Sequence, residues 1–418
     1  MCSVFATCPQ PPPLAAPAPD RPRYVVTVRV ARSFGSVSGR VVVTFTPNRP
    51  TDRLVFRLWP NGPPQLKAGS RLDAGPVAGF RVTRPDPTTL VVHLRSPLAA
   101  GSHVTVAVPW RLRMPRTHID RIARFRDGIR LGTFLPLLAW DDRRGWLLDP
   151  PARLLAESAA TPAADFDVHV AAPRGFRVVA TGVPYGGDRF RARAVRDLAL
   201  AVGHFRLQTT HAGAVTVTVA STELTKRREA AFLADARRAL QSLSARYGTY
   251  PWRTYTIVVP PDLPTVGIEY PTLSFIGRSR FDRLVVDHET AHQWFYSLVG
   301  NDQARDPWLD ETLATWGQSR LGSPEFPPVQ SVPEFAARHV GAPMTYWDRH
   351  PSWYFYGVYG EGVKALHMLG DSAAVDCALR HYVARRAYTI AQPGDLLDEL
   401  NRFIPGAERR LRAWGIRR

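Results

Sequence analysis

The sequence predicts an α+β chain, with a β-rich N-terminal domain (residues 23–210) folded as an antiparallel sandwich or saddle. A mixed domain (residues 211–418) follows and ends in helices. Three observations predict this. From Tyr24 to about Gly203, short segments rich in β-branched residues tend to alternate at period two between Pro, Gly, Asn and Asp. From Lys226 the apolar period becomes that of a helix, and beyond Leu284 nearly everything reads as helical. The chain has 418 residues, 45% of them hydrophobic and 22% charged, which is enough to bury two cores.

Residues 1–22 precede the first strand. Cys8 to Arg23 is Pro- and Ala-rich and reads as an extended tether. Strands are expected at 24–30, 39–45, 54–59, 90–94, 103–108, 166–171 and 176–180, then at 215–220, 254–259 and 272–276. Lys226 to Tyr247 reads as a long helix. Phe232, Ala236, Leu240, Leu243 and Tyr247 form one stripe on it, and Gly248 and Pro251 stop it.

The net charge of +18 raises nucleic acid or anionic lipid as partners. Yet only three of the 54 basic residues are Lys (67, 226 and 364), and the Arg residues are spread over the whole length. A GC-rich coding sequence accounts for that bias, whereas a nucleic-acid footprint would gather the charge on one face. No nucleic-acid partner is expected. No apolar run reaches the eighteen residues of a membrane span. The cysteines, Cys2, Cys8 and Cys377, offer no disulfide framework and no metal-ligand spacing. Seven residues before Cys8 are too few for a signal peptide, so the default expectation is cytoplasmic. If the true start lies upstream, Cys8 is a candidate lipid-anchored residue of a cell-envelope lipoprotein.

Residues 288–292 read His-Glu-Thr-Ala-His, inside a run from Phe281 to Val299 free of Pro and Gly, where a helix is expected. Residues four apart share a helix face, so His288 and His292 can reach one metal ion. Glu289, about 100° round the helix, can address a water on it. Two surface histidines on an ordinary helix are the bland alternative. The downstream sequence weighs against it. After eighteen intervening residues His292 is followed by Glu311, in Asp306-Pro307-Trp308-Leu309-Asp310-Glu311. Asp306 and Pro307 are suited to the N-cap and first position of a second helix. Two His and one Glu form the open three-ligand set of a catalytic zinc, where a structural zinc would take four ligands and usually Cys.

With Val266-Gly267-Ile268-Glu269-Tyr270-Pro271 upstream and Tyr356-Gly357-Val358-Tyr359-Gly360-Glu361 downstream, these blocks resemble the aminopeptidase N-like gluzincins, zinc peptidase family M one. The resemblance covers residues 24–418, closely in the second half. It departs at Ile268, where the family usually has Met, at Tyr270-Pro271, and at Asp310, which replaces an Asn and would add negative charge behind the metal. On this resemblance the chain is expected to lack the later β and large helical domains of longer members.

The resemblance implies a thermolysin-like catalytic domain with one Zn2+ per chain, held by His288, His292 and Glu311. It implies an aminopeptidase in which Glu289 activates a zinc-bound water and Tyr359 donates to the oxyanion. Glu269 would pair with the free N-terminus of a peptide substrate, and the backbone of Gly267 and Ile268 would line that peptide. Glu157 is a candidate second contact to the amine, with a plain surface loop as the alternative. Thr315 is expected either beside Glu311 or in simple packing. Trp294, Phe295 and Trp308 are expected in the core, and His367 and His381 as structural histidines. Rival readings are another zinc hydrolase on this fold (an endopeptidase or epoxide hydrolase) and a catalytically silent scaffold. The presence of Glu289 argues against the scaffold. Of only eleven Glu, four (269, 289, 311 and 361) fall in or beside the expected site, which predicts an acidic pocket in a basic body.

Overall fold

A computed structural model describes residues 8–116, 121–154, 159–263, 266–324 and 331–418. In the first strand, Arg23–Val30, every second residue is buried, and these are the β-branched and aromatic positions Tyr24, Val26, Val28 and Val30. That strand lies in a seven-stranded sheet, antiparallel to Ser36–Phe45 and parallel to Ala164–Ala171. A four-stranded sheet containing Thr51–Arg57 and Thr89–Leu98 shares one apolar core with it. The sandwich is therefore mostly antiparallel, with one parallel pair made by the return of Ala164–Ala171.

A third sheet of four strands, Arg177–Ala180, Ala199–Gly203, Gly128–Gly132 and Ile122–Phe125, positions the site. Its residues Phe125, Ala199 and Ala201 pack with Val258, Ile268, Tyr270 and Phe275 of the next sheet. Gly132 lies so close to the Tyr270 ring that a Cβ there would overlap the phenol hydroxyl. This contact seats the β-rich half against the strand that carries Glu269.

The next sheet runs Arg206–Ala212, Val215–Ser221, Thr254–Val259, Leu273–Ile276, Gly267–Tyr270. Sheet membership thus changes between Gly203 and Arg206. The helix Lys226–Tyr247 spans its expected residues. Thr225 accepts from the Arg228 amide at its start, and Gly248, at φ 111°, ends it. Its buried face is the expected stripe together with Glu229 and Ala239. Behind it the helices Asp282–Ala291, Trp308–Ser319, Gly362–His367, Ser372–Arg386 and Pro393–Phe403 enclose a second core, which holds Trp294, Phe295 and Trp308. No helix among the described residues is long and apolar enough to cross a membrane.

The cysteine expectation is corrected. Cys8 and Cys377 form a disulfide across 369 residues of sequence. Spacing could not reveal it, because the tether doubles back over the helix Ser372–Arg386. There the Ala15 amide donates to Ala384 O (2.8 Å) and His381 Nε2 lies 3.1 Å from Pro9 O, while further on Arg21 pairs with Asp165 of the strand Ala164–Ala171 (2.7 Å). The tether has no regular structure but is fastened at three places. With its sulfur in this bond, Cys8 has no thiol to carry a lipid. Reduction, or Cys377→Ser, is expected to cost about 2–4 kcal/mol of unfolding free energy, measurable by denaturant titration with and without reductant. An unchanged midpoint would mean the bond is idle.

Candidate metal and peptide site

The helix Asp282–Ala291 occupies only the first part of the run free of Pro and Gly. His292 closes it as C-cap, its amide bonded to His288 O. Beyond it the chain turns through Tyr296, at φ 120°. Every residue from Val285 to Asn301 is buried, so no one-sided stripe continues the helix. Gln293, next after the metal motif, fastens this turn to the neighbouring strand end. Its Nε2 donates to Tyr270 O (3.0 Å) and its Oε1 accepts from the Thr272 amide (2.9 Å). Glu269 is thereby held close to the two histidines. Nothing in the sequence marks Gln293 for that task.

The second helix begins at Trp308, after Pro307, and no side chain caps it. Asp306 is not the cap it was expected to be. Its carboxyl is pushed up to about 7, chiefly by burial and then by Asp302. Glu311 falls in the first turn and faces His288 and His292. Thr315 bonds to the Glu311 carbonyl (2.7 Å), so it stiffens the helix and does not touch the carboxylate.

Three ligand atoms converge. His288 Nε2 lies 3.1 Å from His292 Nε2 and 3.2 Å from Glu311 Oε2, and His292 Nε2 lies 3.3 Å from the same oxygen. Ligands about 2.0–2.1 Å from a tetrahedral ion stand roughly 3.3 Å apart, so the triangle fits a zinc-sized divalent cation. Lone pairs this close in a buried site repel one another unless a cation lies between them. Glu269, Glu289 and His292 also place ligand atoms within 4.8 Å of one another, a looser carboxylate group beside the triangle.

Behind each histidine stands a partner for its other nitrogen. His288 Nδ1 is 3.1 Å from Gln318 Oε1. His292 Nδ1 is 3.1 Å from Phe295 O and 2.8 Å from Asp310 Oδ1. Burial pulls the His288 pKa down. Burial also acts to lower that of His292, but Glu311 and Asp310 outweigh it and raise it. The Glu311 carboxyl would rise on burial, yet the charge of His292 and bonds from both histidines hold it well below the carboxylate range. Glu289 moves the other way. Burial, with Glu269 and Glu311 nearby, raises it despite His292.

A cavity of about 100 Å3 opens on this group, lined by Gly267, Glu269, His288, Glu289, Glu311 and Tyr359 among others. Alternation along Gly267–Tyr270 turns Gly267 and Glu269 toward it, while the Ile268 side chain is buried in the core on the other face. Tyr359 belongs to a π-helical stretch, Phe355–Glu361, and its ring stacks on His288 (centroids 5.7 Å, 15°). Glu361 does not line the cavity and pairs with Lys364 (3.3 Å). His367 packs on Trp316. Glu157 lies outside the described residues.

Sequence reasoning passed over Arg121, which no motif distinguishes from the other arginines. It enters from the third sheet's end of the β-rich half, with Nη2 3.5 Å from Glu269 Oε1 and Nη1 3.4 Å from the Tyr270 hydroxyl. Burial raises the Glu269 carboxyl to about 7, against the opposing pull of Arg121 and His292. The pocket is acidic, as expected, but tempered by this cation.

No protein-family model matches the chain. The chain is 31% identical over 195 residues to human (Homo sapiens) aminopeptidase RNPEPL1, covering 40% of this chain and 27% of that protein. It is 34% identical over 85 residues to aminopeptidase B of Rattus norvegicus, covering 18% and 13%. The matched stretch thus spans about a quarter or less of these relatives. An M1 zinc metallopeptidase from Deinococcus radiodurans shares the fold over 96% of this chain and 95% of its own, with a TM-score of 0.63 and 20% identity. A variant of that enzyme solved with a Tyr-Ser-Ala substrate matches equally well, at a TM-score of 0.63 and 21% identity over 94% of this chain and 93% of its own. At such identity the likeness is one of fold. Motif spacing and the stretches shared with these aminopeptidases make this chain similar to the aminopeptidase N-like M1 zinc metallopeptidases, and its fold is that of a solved M1 zinc metallopeptidase.

Proposed function

We propose that the protein is a zinc-dependent aminopeptidase, with residues 211–418 carrying the chemistry and residues 23–210 closing one side of the site. The observation that carries this reading is that Glu269 opens onto the same small cavity as His288, His292, Glu311 and Glu289. A carboxylate held a few ångströms from a metal triangle suits the α-ammonium of a peptide whose first bond lies at the metal. The relatives named as aminopeptidases and the tripeptide-bound neighbour support peptides as the substrate class.

His288, His292 and Glu311 would hold the zinc, which when bound supplies Lewis acidity and lowers the pKa of a water to about 7. Glu289 accepts the proton of the attacking water and returns it to the leaving amine, acting as base and then as acid. Tyr359, fixed by its stacking on His288, offers its hydroxyl to the negative charge that develops on the scissile oxygen. Glu269 binds the ammonium, with Arg121 steadying its carboxylate from the β-rich side. The Gly267 backbone borders the peptide, and Ile268 contributes its main chain alone. An endopeptidase or epoxide hydrolase would have less use for a buried carboxylate at this end of the cavity, and a silent scaffold no use for Glu289. The Cys8–Cys377 disulfide favours an oxidising compartment over the cytoplasm.

The test is hydrolysis of an aminoacyl chromogenic amide by metal-loaded protein. Activity should vanish on chelation and return with about one zinc per chain. Equal activity after complete metal removal would refute the reading.

A further inference from the structure

Asp310 is fully buried, and its two oxygens have different surroundings. Oδ2 accepts from Gln303 Nε2 (2.6 Å). Oδ1 lies 2.8 Å from His292 Nδ1 and has no other hydrogen-bond partner among the described residues. A buried carboxylate oxygen left in that position is costly unless positive charge develops beside it. The His292 ring is placed to supply that charge at Oδ1, with the buried Arg196 guanidinium within longer electrostatic reach. Gln303, itself buried, is locked in turn: its Oε1 accepts from the Ala159 amide (2.9 Å) and its own amide donates to Ala159 O (3.4 Å). The chain of contacts therefore runs from the β-rich half through Gln303 and Asp310 to one metal ligand.

The other ligand histidine is backed differently. His288 Nδ1 meets the neutral amide oxygen of Gln318. His292 already has a neutral acceptor in the Phe295 carbonyl, which suffices to fix the proton on Nδ1 and turn Nε2 toward the other two ligands. The carboxylate is thus not needed for ring orientation. What it adds is charge, and a carboxylate behind an imidazole strengthens the opposite nitrogen as a metal donor.

We propose that Asp310 is a positioning residue that acts through His292 to tighten metal binding, held to that task by Gln303 and the backbone of Ala159. This rests on the reading of His288, His292 and Glu311 as the metal ligands. It makes the two histidines unequal donors, with His292 the stronger.

The test is zinc affinity of the full chain by competition with a chromophoric chelator, read beside the melting temperature of the metal-free protein. Asp310→Asn keeps the volume and the Phe295 contact. It is expected to weaken zinc binding about 10–100-fold while the metal-free melting temperature stays unchanged. Gln303→Leu, which leaves the carboxylate but frees it to turn, is expected to give a smaller loss in the same direction. Affinity within about threefold of the parent in both variants would overturn the proposal. So would a loss of affinity matched by an equal loss of metal-free stability, which would mark a structural role. A protein that binds zinc with this pattern yet cuts no peptide would refute the aminopeptidase reading and leave this assignment standing.

Discussion

Replacing Glu289 by Gln is expected to lower kcat by about 10²–10⁴-fold while leaving one zinc per chain. The substitution keeps the side-chain volume and removes only the ability to take and return a proton. Glu289 is fully buried, and its Oε2 has no hydrogen-bond partner among the described residues. No bond within the fold needs that oxygen, so the folded structure should survive the change. The variant also separates two readings of the carboxylate cluster. If the ion sat among Glu269, Glu289 and His292, Glu289→Gln would lose metal together with activity. If it sits among His288, His292 and Glu311, metal content and activity part company. Metal analysis beside a steady-state assay decides between them.

The second large effect is expected at a residue with no side chain. A Cβ on Gly267 would overlap the Glu289 carboxyl group. The neighbours on the far side of that strand, Ile268 and Tyr270, are packed in the core, so the strand cannot back away without cost. Glu289 must therefore move in a Gly267→Ala variant. A misplacement near 1 Å costs about 10²-fold in a reaction that depends on alignment, and kcat/KM should fall by that order. Zinc content should be kept, since the three atoms nearest the new methyl group all belong to Glu289 and not to His288, His292 or Glu311. A variant as active as the parent would mean that Glu289 has room to spare and that its position is not critical.

Much of this was legible in the sequence, for identifiable reasons. The strand Arg23–Val30 and the helix Lys226–Tyr247 each bury one face against one core, so the period of their apolar residues is the period of the element. The convergence of His288, His292 and Glu311 was legible because the two histidines are four apart on a helix and the glutamate lies at a fixed distance downstream. Asp310 stood out because it departs from the Asn that resembling chains carry. What could not be read depends on residues brought together from far apart. Arg121 reaches Glu269 across 148 residues, and Cys8 reaches Cys377 across 369. The run from Phe281 to Val299 lacks Pro and Gly, so a helix was expected within it but its end could not be read. The helix stops at His292 because the next residues are buried on all sides and Gln293 bonds to the neighbouring strand. Asp306 looked like a cap by residue type, but its side chain is half-buried and caps nothing. The excess of arginine, which first pointed outward to anionic partners, also serves inward. Arg57, Arg130 and Arg196 are buried, and Arg130 pairs with Asp262 at 3.1 Å.

The central claim is that a metal triangle and an amine-binding carboxylate share one cavity. It is tested most directly by giving the zinc-loaded protein matched peptides with free and N-acetylated termini and following products by mass spectrometry. The account predicts sequential loss of single residues from the free peptides and no cleavage of the acetylated ones. Equal cleavage of both, or cuts within the peptide, would contradict it and remove Glu269 from the role assigned here.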